Sequence, residues 1–185
     1  MPIFSKPNAI VYVRRSGLIV AGKKLTPARL NFDPKQIENL EVLDEAAFVD
    51  TLTEFFRNHN LKNKHVLMVL DDSVLFTKHV ALDAAGKPAA ITDAFIESMP
   101  LHPGKRACLR VVHDSKLTLY ASNGDLYRSV AGALDYAGAS KVLAITPANA
   151  YPSASGKQPL AAAVQQYVND TTVRSSANFQ NTPLV

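Results

Sequence analysis

Two rhythms of apolar and polar residues alternate along this chain. Ala9-Ile10-Val11-Tyr12-Val13 is an apolar β-type run, interrupted by Arg14-Arg15-Ser16-Gly17 and resumed by Leu18-Ile19-Val20-Ala21. Gly17 offers the positive-φ position of a tight turn, so the segment predicts a hairpin. A third strand is expected over Ala28–Phe32, with alternation through Leu30 and Phe32, closed by Pro34. Residues 44–58 then shift to helical spacing, because Phe48, Leu52, Phe55 and Phe56 form one apolar stripe. Asp44 and Glu45 suit the positive end of that helix dipole. The run His65–Leu70 reads as a buried strand, Asp71-Asp72-Ser73 as a turn, and Val74–Leu82 as another strand.

Beyond a loop at Ala84–Pro88, the residues Ile91, Ala94, Phe95 and Met99 predict a short helix ending before Pro100. Strands are expected over Ala107–Val112 and Leu117–Tyr120, joined by the turn His113–Lys116. Leu126, Val130, Ala133, Leu134 and Ala137 mark one face of a further helix, with Gly138 placed to terminate it. Val142–Ile145 is a buried strand stopped by Pro147. A last helix is expected over 158–169, with Leu160, Val164, Tyr167 and Val168 inward and Pro159 in its tolerant first turn.

The resulting order is β-β-β-α-β, then β-α-β-β, then α-β-α. Without its middle block it becomes β-β-β-α-β-α-β-α, a mixed α/β sheet of three antiparallel strands extended by parallel ones through helical crossovers. That is the order of the ribonuclease H-like and actin-like core. The expected organisation is a core of residues 1–72 and 124–170, an inserted α+β subdomain over 73–123, and a polar tail or linker over 171–185.

Composition narrows the function classes. The 185 residues are 47% apolar and 19% charged, enough to bury a core and too apolar for wholesale disorder. The single cysteine, Cys108, excludes an intrachain disulfide framework or a cysteine zinc cluster and fits a reducing compartment. No apolar run approaches the roughly 18 residues of a membrane span, and the start lacks a signal-peptide core, so a soluble cytoplasmic domain is expected. The formal charge is +4, but it is unevenly spread. Residues 1–30 carry Lys6, Arg14, Arg15, Lys23, Lys24 and Arg29 with no acid, a composition that attracts phosphates or anionic headgroups. The favoured account is plainer: Arg14 and Arg15 form a solvated turn and the lysines an exposed strand end. Interleaved aromatics of the RNA-binding type are missing, which argues against nucleic acid as a partner.

Candidate chemistry is sparse. A two-metal nuclease on this core needs carboxylates from the first strand, first helix and fourth strand. Asp71 or Asp72 supplies only the last of these, and turn chemistry explains both. An actin-like ATPase needs its first hairpin turn to wrap phosphates beside an Asp for Mg²⁺. Arg14, Arg15, Ser16 and Gly17 retain Ser16 and Gly17 without an acid; the arginines are candidate anion contacts and cannot ligate a metal. His59, His65, His79, His102 and His113 lack metal-ligand spacing. Cys108 reads as a buried, inert thiol. No Walker-type loop, hydrolase elbow or dinucleotide fingerprint occurs. Neither a cofactor, a metal nor an enzymatic activity is expected.

The stretch Val66-Leu67-Met68-Val69-Leu70-Asp71-Asp72-Ser73-Val74-Leu75-Phe76-Thr77-Lys78 resembles a segment of the actin-like PilM and GspL proteins, where a buried strand ends in a turn and enters the inserted subdomain. Leu134–Pro147 is similar to their helix–Ala-Gly–strand–Thr/Val-Pro segment. The resemblance implies a cytoplasmic scaffold of type IV pilus or type II secretion machinery at the inner face of the cell membrane. It implies binding to other platform proteins, in particular a PilN-like cytoplasmic peptide. A homodimer is a separate expectation. PilM-like members also bind ATP. Here the Asp-x-Gly-Ser phosphate hairpin is replaced by Val13–Gly17, and the length corresponds to the first of two lobes. Partner binding at a sheet edge, or in the groove beside the inserted subdomain, is therefore the expected function. Membrane contact is expected to be indirect or through a C-terminal continuation from Thr171. The alternatives are a nucleotide-binding actin-like protein using the Arg14–Gly17 turn, and a weakly basic nucleic-acid-binding module.

Overall fold

A computed structural model of the protein describes residues 7–38, 40–82, 87–113 and 115–147. β1 (Ala9–Arg14) and β2 (Gly17–Gly22) form the expected hairpin, in register from Ala9↔Gly22 to Arg14↔Gly17. β3 (Leu25–Asn31) starts earlier than the alternation at Leu30 suggests and contains Pro27. The Phe32 amide donates to the Ser16 carbonyl at 3.0 Å. With Leu18↔Leu30 and Val20↔Ala28 in register, position 27 then faces away from β2. Proline is tolerated there because no ladder hydrogen bond is lost.

A minimal hairpin, β4 (Ile37–Glu38) and β5 (Glu41–Val42), precedes the first helix and was not expected from the pattern. Two strands of this length carry no readable alternation. Ile37 and Leu40 are nevertheless buried in the main core.

α1 (Glu45–Asn58) begins where the Asp44 carboxylate accepts the Ala47 amide at 3.0 Å. Phe48, Leu52 and Phe56 are fully buried, and Phe48 meets Phe32 edge to face at 5.2 Å. β6 (His65–Leu70) follows, then a single 3₁₀ turn over Asp72–Val74 and β7 (Phe76–Ala81). α2 (Pro88–Glu97) starts three residues before its first periodic apolar position, with Pro88 in the tolerant first turn. After a 3₁₀ turn at Pro103–Lys105 come β8 (Arg106–His113) and β9 (Lys116–Asn123), each longer than expected. β9 runs directly into α3 (Gly124–Tyr136), and β10 (Lys141–Pro147) closes the described chain. β10 ends at Pro147, the residue expected to stop it. The helix expected over 158–169 and the tail over 171–185 lie outside the described residues, as does most of the loop at 84–88.

α3 ends as Gly138 suggests. That glycine is at φ 81, its amide donates to Asp135, and the Ala139 amide reaches back to Leu134 at 3.0 Å, a Schellman closure.

The main sheet has five strands in the order β10-β6-β1-β2-β3, with β1, β6 and β10 mutually parallel and β1-β2-β3 antiparallel. α1 and α3 pack on one face. There Leu52, Phe56, Val130 and Leu134 share a cluster with Val11, Val13, Val66 and Met68. Each large side chain so buried contributes about 1.5–3 kcal/mol relative to exposure. The alternate residues Ile10, Tyr12, Leu67 and Val69 are also buried, so these strands read as unbroken apolar runs. A second sheet, in the order β7-β9-β8, is antiparallel throughout. On one face Leu117, Leu119 and Ala121 cluster with Phe95 and Met99 from the α2 segment. Tyr120, at an alternating position, joins the main cluster, and the Ser122 hydroxyl donates to the Val74 carbonyl at 2.8 Å.

Candidate functional site

Parallel β1 and β6 end side by side, and their carboxyl ends bring the β1–β2 turn against the Asp71–Ser73 turn. In register, Val13 sits opposite Leu70, and the Asp71 amide donates to the Val13 carbonyl at 2.9 Å. The Tyr12 hydroxyl donates to the Asp71 carboxylate. The other Asp71 oxygen accepts the Ser73 amide at 2.9 Å, and the Ser73 hydroxyl accepts the Arg15 amide at 3.1 Å. The Arg14 guanidinium lies 5.5 Å from the centroid of the Tyr12 ring.

These contacts set the local electrostatics. Burial alone would raise the Asp71 carboxyl, but hydrogen bonds from Ser73 and Tyr12 and the positive charge of Arg14 outweigh it and hold the value below normal. Tyr12 moves strongly upward, chiefly through burial and then through its bond to Asp71, so the phenol stays protonated. Asp71 is therefore a carboxylate already committed to two donors.

The residues singled out in the turn divide into different roles. Arg14 is half-buried and Arg15 and Ser16 are exposed. The Ser16 carbonyl receives Phe32 from β3. Gly17 is accounted for by packing: a Cβ there would stand 2.1 Å from the Leu30 carbonyl oxygen. Its smallness admits the neighbouring strand, which is sufficient reason for a glycine without any phosphate. The turn itself holds no acid, as the sequence shows, yet the fold brings Asp71 to it. The sequence marks Asp71 as a lone carboxylate at the end of the fourth strand, explained by turn chemistry, and does not connect it with the first hairpin. The available signal was Tyr12, a hydroxyl-bearing residue in an otherwise aliphatic strand.

The histidines stand apart. His59 follows α1, His65 opens β6, and His79 on β7 pairs with Thr118 at 3.1 Å. His102 accepts the Gly104 amide at 3.3 Å. Among the described residues, no group of three or more His, Cys, Asp or Glu gathers to hold a metal. Cys108 is half-buried against the α2 cluster rather than fully enclosed. No described helix is long and apolar enough to cross a membrane.

The arrangement defines a mixed α/β protein whose parallel strand ends carry two arginines and one engaged carboxylate, chemistry suited to holding an anion. No protein-family model matches the chain, and no curated protein matches it. Among solved structures it is similar to a PilM-PilN type IV pilus biogenesis complex, at 13% identity and a TM-score of 0.48, covering 77% of this chain and 46% of that one. It is also similar to the cytoplasmic domain of EpsL, an inner-membrane component of the Vibrio cholerae type II secretion system, at 9% identity and TM-score 0.48, covering 75% and 56%. A third is a Bacteroides thetaiotaomicron protein with an actin-like ATPase fold, at 8% identity and TM-score 0.43, covering 80% and 55%. The chain thus spans about half the length of the structures it matches.

Proposed function

We propose that this chain is a non-catalytic scaffold domain of a type IV pilus or type II secretion assembly platform, binding a short peptide of a PilN-like partner. In this reading the described parts of 1–72 and 124–147 belong to its core, and 73–123 is an inserted α+β subdomain. The observation that carries this reading is the state of Asp71. An actin-like hydrolase needs a free carboxylate beside its first hairpin to hold Mg²⁺ on the phosphates. Here that carboxylate is taken up by the Tyr12 hydroxyl and the Ser73 amide, and the hairpin offers Arg14 and Arg15.

For the peptide, the open edge of β7 is the favoured acceptor. Thr77, Lys78 and His79 are all exposed, and among the described residues β7 pairs with β9 on one side only. An extended peptide satisfies such an edge by strand addition. The antiparallel edge of the main sheet, β3, contains Pro27, which has no amide to offer an added strand. Titration of the full chain with the cytoplasmic N-terminal peptide of a PilN-like protein tests the reading. Saturable binding is expected, and no interaction with any platform component would overturn it.

A second reading rests on the hairpin turn itself: Arg14 and Arg15 place two cations beside Ser16 and Gly17, where a nucleotide phosphate would find charge of the opposite sign. A Mg-ATP-dependent rise in thermal midpoint, lost in the Arg14→Ala/Arg15→Ala double variant, would put nucleotide binding ahead of the scaffold reading.

A further inference from the structure

The opposite end of the main sheet collects cations from two stretches distant in the chain, 23–24 and 57–64. The β2–β3 turn carries Lys23 and Lys24, the α1–β6 connection Lys62 and Lys64, and the last turn of α1 Arg57. Their contacts join them into one rim. The Lys64 Nζ donates to the Lys23 carbonyl at 3.4 Å, and the Asn63 amide donates to the Gly138 carbonyl at 2.8 Å. A Cβ on Gly138 would stand 3.4 Å from the Lys62 Cγ. Arg57 Nη2 donates to the Tyr136 carbonyl at 2.9 Å. Lys141 opens β10 opposite His65. Across residues 22–25, 57–65 and 134–141 the one acid is Asp135.

Two further features mark this end. Tyr136, at the close of α3, is 66% exposed and stands beside Arg57. Lys24 adopts φ 59, a left-handed conformation that glycine or asparagine takes at lower cost. A lysine is held where the backbone would prefer another residue.

We infer that this rim is a docking face for an anionic lipid bilayer. Four lysines on turns and a loop are a set of long, mobile point charges, suited to a field of headgroups rather than to one fixed ligand. A largely exposed tyrosine beside them suits the headgroup level, where a ring with a polar tip is at home. The main-chain groups here are already used. Asn8, Lys23, Asn63 and Ser140 amides all bond within the rim, at 2.8–3.0 Å, leaving charge rather than a strand edge to a partner. The inference concerns the end opposite Arg14 and Asp71 and does not depend on the peptide or nucleotide reading. It makes membrane contact direct, where the sequence suggests an indirect one.

Co-sedimentation of the full chain with phosphatidylcholine vesicles, with and without phosphatidylglycerol, tests it. Binding is expected only to the anionic vesicles and is expected to disappear at high salt. The double variant Lys24→Asn/Lys62→Gln should bind on the order of tenfold more weakly or less still, with an unreduced thermal midpoint because asparagine accepts φ 59. The charge-matched Arg14→Ala/Arg15→Ala variant should bind as the parent does. Equal loss in both variants would show that net charge alone is sensed, and would overturn the proposal. So would failure to distinguish the two vesicle types. Tighter retention on double-stranded DNA than on anionic vesicles, abolished in the same rim variant, would assign the face to nucleic acid instead.

Discussion

The Tyr12 hydroxyl donates to the Asp71 carboxylate, joining the ends of two parallel strands 59 residues apart. The bond fastens the β1–β2 turn to the Asp71–Ser73 turn and decides what that carboxylate is available for.

Removing the hydroxyl leaves a half-buried carboxylate short of one donor. Tyr12→Phe is expected to destabilise the fold by about 1.5–3 kcal/mol, the range for a hydrogen bond to a charged group. Urea unfolding at neutral pH measures it, and an unchanged midpoint would show that the bond is energetically idle.

The same pair predicts two pH limbs. Asp71 is lowered in the folded state from its ordinary 3.8, so its contribution is present above that value and is lost as pH falls below it. Tyr12 is raised from 10.0, so the unfolded chain releases that proton first; its contribution is complete below pH 10.0 and declines as pH rises beyond it. Stability measured against pH should therefore fall less steeply above pH 10.0 in Tyr12→Phe than in the parent. Parallel alkaline limbs would contradict the assignment.

Two glycines should respond in opposite directions to alanine. At Gly17 a methyl group meets the Leu30 carbonyl oxygen at 2.1 Å, so Gly17→Ala must displace β3 and should cost more than about 2 kcal/mol. At Gly132, inside α3, nothing lies within 4 Å, and Gly132→Ala should add about 0.5–1 kcal/mol through helix propensity. Thermal melts of the two variants provide the comparison.

Asp44→Ala tests how α1 begins. Loss of the bond to the Ala47 amide should cost about 1 kcal/mol, while Asp44→Ser should retain most of the stability. Equal losses in both would mean that the charge, rather than the cap, is what matters.

Much of the element order could be read directly. The stripe through Phe48, Leu52 and Phe56, the apolar run at 65–70 and Gly138 each point to a local structure that forms as expected, because burial periodicity and capping act within a few residues. Where reading failed, tertiary context was deciding. Pro27 lies inside a strand because β3 is an outer strand among the described residues, a fact unknown until the order is known. The β4–β5 hairpin is too short to show a period and is held by Ile37 and Leu40 entering the core.

The candidate sites divide along the same line. Arg14 and Arg15 are visible as a basic turn in the sequence, and so is the chain's acid-free opening. That Asp71 stands beside that turn, and that Lys23 and Lys24 share the other end with Lys62, Lys64 and Arg57, depends on β1 and β6 lying parallel and adjacent. By itself the sequence determined which segments are strands, helices and turns, because backbone geometry and side-chain burial are local or periodic properties. Only the tertiary structure decided which charges share a surface, because strand pairing and register alone bring residues distant in the chain within reach of one another.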